Sequence, residues 1–140
     1  MKRLLLTVAA SVIATGAAFA EGDIAAGEKA FKKCKACHAI SDPDGNVIVK
    51  GGKVGPNLYG IVGRTAGSYE GFRYSASLTA AGEAGLVWTE EEIVAFIADP
   101  KAFLRTYLDD SSAKSKMTFK LSKGGEDVTA YLASLAPPAE

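Results

Sequence analysis

Cys34-Lys35-Ala36-Cys37-His38 gathers both cysteines and the only histidine of the 140-residue sequence into five positions. Two thiols three residues apart on a helical turn face the same way, so both can add to the two vinyl groups along one edge of a porphyrin, with His38 next in line beneath the metal. Covalent attachment of a single c-type haem (haem c) is therefore the leading chemistry. Two other uses of the same atoms remain: a redox dithiol of thioredoxin type, which wants a βαβ context, and a metal site, which for closed zinc coordination needs a fourth ligand. If an iron is held, Met117 is the candidate for its sixth position. It lies 79 residues past His38 in a polar segment between two expected helices, where a core-filling methionine is out of place. A thioether there stabilises ferrous iron, raises the reduction potential and closes the site to small ligands. The alternative is a partly exposed gap-filler.

These residues need elements to hold them. Asp23 stands as an N-cap, and Ile24, Gly27, Ala30, Phe31 and Cys34 recur at helical spacing, which predicts an amphipathic helix running toward the cysteines. Ser41 to Asn46 is a turn cluster. From Lys50 to Gly71 the chain carries seven glycines and Pro56, a stretch whose shape is set by what it wraps. It is not a phosphate loop, because no glycine pair is followed by Lys-Ser/Thr and no strand precedes it. Thr89-Glu90-Glu91-Glu92 forms a capping box opening a helix that buries Ile93, Phe96 and Ile97. Asp99-Pro100 ends that helix and starts another, with Phe103, Leu104, Tyr107 and Leu108 as its apolar face. Asp109 to Lys116 is a polar loop. A last helix follows Gly124-Gly125, burying Val128, Tyr131, Leu132 and Leu135, and Pro137-Pro138 closes it. No alternating strand pattern of any length occurs, so the expected class is small all-α with a large share of loop.

Composition narrows the function. Sixteen basic against sixteen acidic residues exclude a nucleic-acid binder, which needs a clear basic excess. Met1-Lys2-Arg3, an apolar run over Leu4 to Ala18, and Ala18-Phe19-Ala20 read as a secretory signal peptide cut after Ala20, leaving a domain over 21–140. Removing it leaves Met117 as the sole methionine and 14 basic against 16 acidic side chains. No later segment is fit to cross a bilayer. The expected compartment is the periplasm, which suits haem attachment outside the cytoplasmic membrane.

Over nearly its whole mature length the chain resembles the class I c-type cytochromes, in particular the long cytochrome c2 type and its close respiratory relatives. The resemblance rests on an ordered series: Gly27-x-x-x-Phe31 before Cys-x-x-Cys-His, Lys53-Val-Gly-Pro-Asn-Leu-Tyr-Gly60, Gly63-Arg64, Gly71-Phe72-x-Tyr74, Trp88, Asp99-Pro100-Lys101, Lys116-Met117-x-Phe119 and Val128-x-x-Tyr131-Leu132. It implies helices and long loops wrapped around one covalent haem, with His38 and Met117 as axial ligands. Pro56, through its carbonyl, would accept the free ring N–H of His38 and orient it. Arg64, Tyr74, Trp88 and Ser115 would hydrogen-bond or neutralise the buried propionates. Gly27 and Phe31 would pack the first helix on Tyr131, and Phe119 would shield the haem edge. Two positions depart from the family pattern. Phe96 stands where many members have a Tyr reaching the axial sulfur, and Leu78 falls near a position often filled by Asn, which predicts a drier surrounding for Met117.

A six-coordinate iron leaves no place for substrate, so the implied role is a diffusing one-electron carrier, monomeric and not an enzyme. Lys29, Lys33, Lys53, Lys101, Lys116, Lys120 and Lys123 come from segments that the resemblance places around the haem edge, where they would dock acidic membrane partners. Those partners are a cytochrome bc complex as donor and a photosynthetic reaction centre or terminal cytochrome oxidase as acceptor. A haem enzyme or gas sensor, with Met117 off the iron, and a haem-free thiol oxidoreductase are the competing classes.

Overall fold

The computed structural model describes residues 21–136. The leader expected over 1–20 and the Pro137-Pro138 stop lie outside them. Five helices and one small hairpin follow in order: α1 (Ile24–Phe31), β1 (Ile40–Ser41), β2 (Val47–Val49), α2 (Ala76–Glu83), α3 (Glu90–Ala98), α4 (Pro100–Tyr107) and α5 (Gly125–Ser134). No helix among the described residues is long and apolar enough to cross a membrane.

Except at α5, which begins at Gly124 without a side-chain cap, helix starts fall where short polar side chains satisfy the free backbone N–H groups of a first turn. Asp23 accepts from Ala26 N–H at 2.9 Å, Thr89 from Glu92 N–H at 3.2 Å and Asp99 from Ala102 N–H at 3.0 Å. The capping box at Thr89 is only half formed. The Thr89 N–H donates to the Val87 carbonyl at 2.9 Å, so it does not require the Glu92 carboxylate.

Two elements were not expected. Helix α2 is capped by Ser75 but buries only Ala81, so no apolar stripe announces it. The strands of the hairpin, two and three residues long, are too short to alternate visibly. Their tip is the turn cluster read above: Asp42 accepts from both the backbone and the side-chain amide of Asn46, each at 2.8 Å.

The core joins the two ends of the chain. At Gly27 of α1 a Cβ would overlap the Asp127 carbonyl of α5 and fall 2.8 Å from Tyr131 Cβ. Only a glycine lets the helices approach so closely, and Phe31 then meets Tyr131 with ring centroids 5.8 Å apart. Burying Phe31 contributes about 2–3 kcal/mol. On the other side Phe96 of α3 packs between Trp88, at 4.9 Å, and Phe103 of α4, at 5.6 Å. Five expected core residues are less covered: Ile97, Phe103, Leu108 and Leu135 are half-buried and Tyr107 is exposed. Tyr107 ends α4, where nothing packs over its outer face, and its ring lies parallel on Phe103 at 5.9 Å.

Candidate functional site

Helix α1 stops at Phe31, but turns continue through the cysteines. The Cys34 carbonyl accepts from both Cys37 N–H at 3.1 Å and His38 N–H at 3.0 Å, which closes Cys34 to His38 into one helical turn. Both thiols are free and half-buried. Burial pushes the Cys34 thiol above its usual value, partly offset by the Lys33 charge, while Cys37 raises it further. A reactive redox dithiol needs the opposite, a thiolate favoured by a helix N-terminus or a nearby cation. These cysteines follow the C-terminal end of α1, where the helix dipole disfavours an anion. The dithiol reading loses its physical basis.

His38 Nδ1 lies 2.8 Å from the Pro56 carbonyl oxygen. A carbonyl only accepts, so Nδ1 carries the proton and Nε2 presents a bare lone pair. Burial holds the imidazole below its usual pKa, opposed by the Pro56 bond, and the neutral ring is the form that binds metals. The glycine-rich segment explains itself here. The Gly52 N–H donates to Lys35 O at 2.9 Å and the Gly55 N–H to Cys37 O at 2.8 Å, laying the loop along the cysteine turn. At Gly55 a Cβ would sit 2.5 Å from His38 Nδ1 and 2.7 Å from Nε2. The loop thus grips the ring from one face.

Arg64 and Trp88 come together through backbone pairing. The Gly63 N–H donates to Trp88 O at 2.7 Å and the Trp88 N–H to Arg64 O at 2.9 Å. Arg64 donates to the carbonyls of Asn57, at 3.0 Å, and Tyr59, at 3.4 Å, and its guanidinium lies 5.0 Å over the Tyr69 ring. Burial lowers its pKa, with Tyr74 and Tyr69 opposing. Among the described residues no carboxylate pairs with it. Tyr74 is pushed up by burial against the Arg64 charge, and its hydroxyl accepts from Tyr69 N–H at 3.3 Å. A half-buried cation with tyrosine neighbours and no protein anion suits an incoming carboxylate such as a propionate.

Asn57 and Tyr69 belong to this network, though no local pattern marks them. The Asn57 side-chain Oδ1 accepts from Ser41 N–H and Tyr59 N–H, both at 3.0 Å, while its Nδ2 donates to Ser41 O at 2.7 Å and the Tyr69 hydroxyl at 3.4 Å. Ser115 is not part of it: its hydroxyl donates to Met117 O at 2.9 Å, fixing the loop that carries Met117. That loop is fastened upstream by Lys114 N–H to Ser77 Oγ at 3.0 Å and downstream by Leu121 N–H to Ile97 O at 2.8 Å. Met117 itself is half-buried against the core, as is Leu78, and Phe119 is exposed. All seven candidate docking lysines are exposed.

Two free thiols, an imidazole with Nε2 bare, one thioether on a fastened loop and a cation lacking a counter-ion fit a covalent haem. Such a donor set in a small helical shell is that of a c-type cytochrome. No family model matches the chain, but curated proteins and solved structures do. It is 59% identical over 136 residues to cytochrome c-551 of Roseobacter denitrificans, covering 97% of each chain. To cytochrome c2 of Rhodobacter capsulatus it is 61% identical over 129 residues, covering 92% of this chain and 93% of that protein. The ferric cytochrome c-550 structure from Paracoccus versutus matches with a TM-score of 0.82 at 52% identity, covering 84% of this chain and all of that one. The chain belongs to the cytochrome c family, in the group of cytochromes c2, c-550 and c-551. Members are electron carriers and not enzymes, with one covalently bound haem c.

Proposed function

We propose that this cytochrome is a soluble periplasmic carrier whose haem would be held covalently by Cys34 and Cys37, with His38 Nε2 and the Met117 sulfur as the donors that would hold its iron. Bound haem supplies an iron that gains and loses one electron without exchanging ligands. The role of the chain's own residues would be to hold His38 and Met117 in place whichever state the iron is in. Pro56 holds the His38 proton on Nδ1 and raises the basicity of Nε2, and the missing side chain at Gly55 leaves the space that the ring occupies. Ser115, Ser77 and Ile97 restrain the loop bearing Met117. Arg64, Tyr74 and Trp88 receive the propionates. The bond from His38 to Pro56 is the observation that carries this reading, because it selects the tautomer able to ligate.

An optical spectrum of the purified protein tests it. Covalent haem with a weak far-red sulfur-to-iron charge-transfer band is expected. Haem without that band would move the protein to the ligand sensors, and a haem-free protein to the thiol oxidoreductases.

The exposed lysines 29, 33, 53, 101, 116, 120 and 123 are proposed to dock acidic membrane complexes. A cytochrome bc complex serves as donor, and a photosynthetic reaction centre or cytochrome oxidase as acceptor. Such complexes are small and fast-exchanging, and their association rates fall as salt rises. A rate that does not change with salt would argue against lysine docking.

A further inference from the structure

The described residues hold fourteen lysines and arginines, yet a single ion pair among them: Lys120 Nζ to Asp99 Oδ2, at 2.6 Å. Lys120 is one of the lysines assigned above to docking, three residues past Met117. Lys116, on the other side of Met117, donates to the Arg73 carbonyl at 2.9 Å and so keeps its full charge. Among the described residues, Lys120 alone of the seven docking lysines is ion-paired with a carboxylate of its own chain.

Asp99 is rigidly placed for this. It sits between α3 and α4, its Oδ1 accepts from Ala102 N–H at 3.0 Å, and Pro100 beside it is buried. The bond from Leu121 N–H to Ile97 O, at 2.8 Å, brings the residue after Lys120 against the end of α3. Lys120 and the Ala102 N–H hold the Asp99 carboxyl below the usual carboxylate range, so it is anionic at neutral pH. Both partners remain accessible, the Lys120 side chain 58% exposed and that of Asp99 38%. Exposed pairs of this kind are weak and readily exchanged.

We infer that Asp99 is an internal counter-carboxylate for Lys120, so that an acidic partner engages this lysine only by substituting its own carboxylate for that of Asp99. The inference rests on the docking role proposed for the lysines and adds a specificity element to it. A partner whose carboxylate falls opposite Lys120 exchanges one charge-assisted hydrogen bond for another. A partner without one there meets a neutralised pair and gains nothing from Lys120. Asp99 thereby makes part of the lysine surface conditional on the partner's charge pattern.

The test is a double-mutant cycle on the holoprotein, with Asp99→Asn and Lys120→Gln alone and together. Asn keeps a side-chain oxygen for the α4 cap while removing the charge. Should it fail to fold, Asp99→Ser also caps. The readout is the second-order rate of electron transfer with a purified cytochrome bc complex at low ionic strength. Lys120→Gln is expected to slow the Asp99→Asn protein about three- to five-fold and the parent less than about two-fold. Equal slowing in both backgrounds would overturn the inference, since it would show Lys120 as available with Asp99 present as without it. Lys53→Gln and Lys101→Gln separate this from the docking reading. If they, too, leave the rate unchanged and it does not respond to salt, lysine docking itself fails.

Discussion

Replacing Gly55 by Ala should damage the haem site through the His38 ring. The added Cβ would lie 2.5 Å from Nδ1 and 2.7 Å from Nε2, against an ordinary contact of about 3.4–4 Å, so one side must yield by about 1 Å. Neither is free to. The ring is tied to the same loop by the 2.8 Å bond to Pro56 O, and the Gly55 N–H is itself bonded to Cys37 O at 2.8 Å. Withdrawal of the loop stretches both bonds, at about 1 kcal/mol each, and any residual overlap adds about 1–3 kcal/mol. A loss of about 3–5 kcal/mol follows, or a Tm lower by roughly 9–20 °C for a domain of this size. Gly45→Ala is the control. Its φ is +86° with nothing within 4 Å of the new Cβ, so it carries only left-handed backbone strain, about 1–2 kcal/mol. Thermal unfolding of the two holoproteins should be paired with the far-red band, which Gly55→Ala should shift or weaken and Gly45→Ala should leave alone. A Gly55→Ala protein melting like Gly45→Ala, its band unaltered, would refute the reasoning.

Three further outcomes are expected. Gly27→Ala drives a methyl into the Asp127 carbonyl, so α1 must back away from α5; guanidinium unfolding should show a loss of about 1–3 kcal/mol or more. Phe96→Tyr places a hydroxyl in the aromatic cluster of Trp88 and Phe103 and should change the reduction potential; an unchanged potential would show that this position does not tune the iron. The Asp99 carboxyl is depressed first by the Lys120 hydrogen bond and Asp42 by that from the Asn46 side chain. For a carboxyl lowered in the folded state, the stabilisation is fully present above its unfolded value, 3.8, and is lost as pH falls below that. Acid titrations of unfolding should therefore be shallower below pH 3.8 for Asp99→Asn than for the parent, and equal slopes would contradict the assignment.

Four of the five helices were legible, α5 from the apolar spacing that follows Gly124-Gly125 and α1, α3 and α4 because their starts are local. Asp23, Thr89 and Asp99 each bond an N–H three residues on, and the apolar spacing after them persists for two turns. Helix α2 starts the same way, with Ser75 capping Leu78 N–H at 3.2 Å, but its Ala-rich body buries one residue and leaves no stripe. Tyr107 was misjudged for the converse reason. Periodicity places it on the apolar face of α4, and only the packing reveals that Phe103 covers it in part and leaves the rest exposed.

The chemistry of Cys34 to His38 is encoded in five consecutive residues, because one helical turn places the thiols and imidazole without help from elsewhere. How that imidazole is used is a different matter. Its tautomer depends on a carbonyl 18 residues away, and the space for its ring on a glycine whose lack of a side chain matters only once the loop folds back. Likewise Arg64 is an ordinary charge in the sequence. It becomes a cation without a counter-ion only where burial and the carbonyls of Asn57 and Tyr59 surround it. The pairing of Asp99 with Lys120 spans 21 positions and two helix ends, beyond the reach of any local pattern. Contacts within a turn can be read from spacing, whereas contacts between loops exist only after the chain has packed.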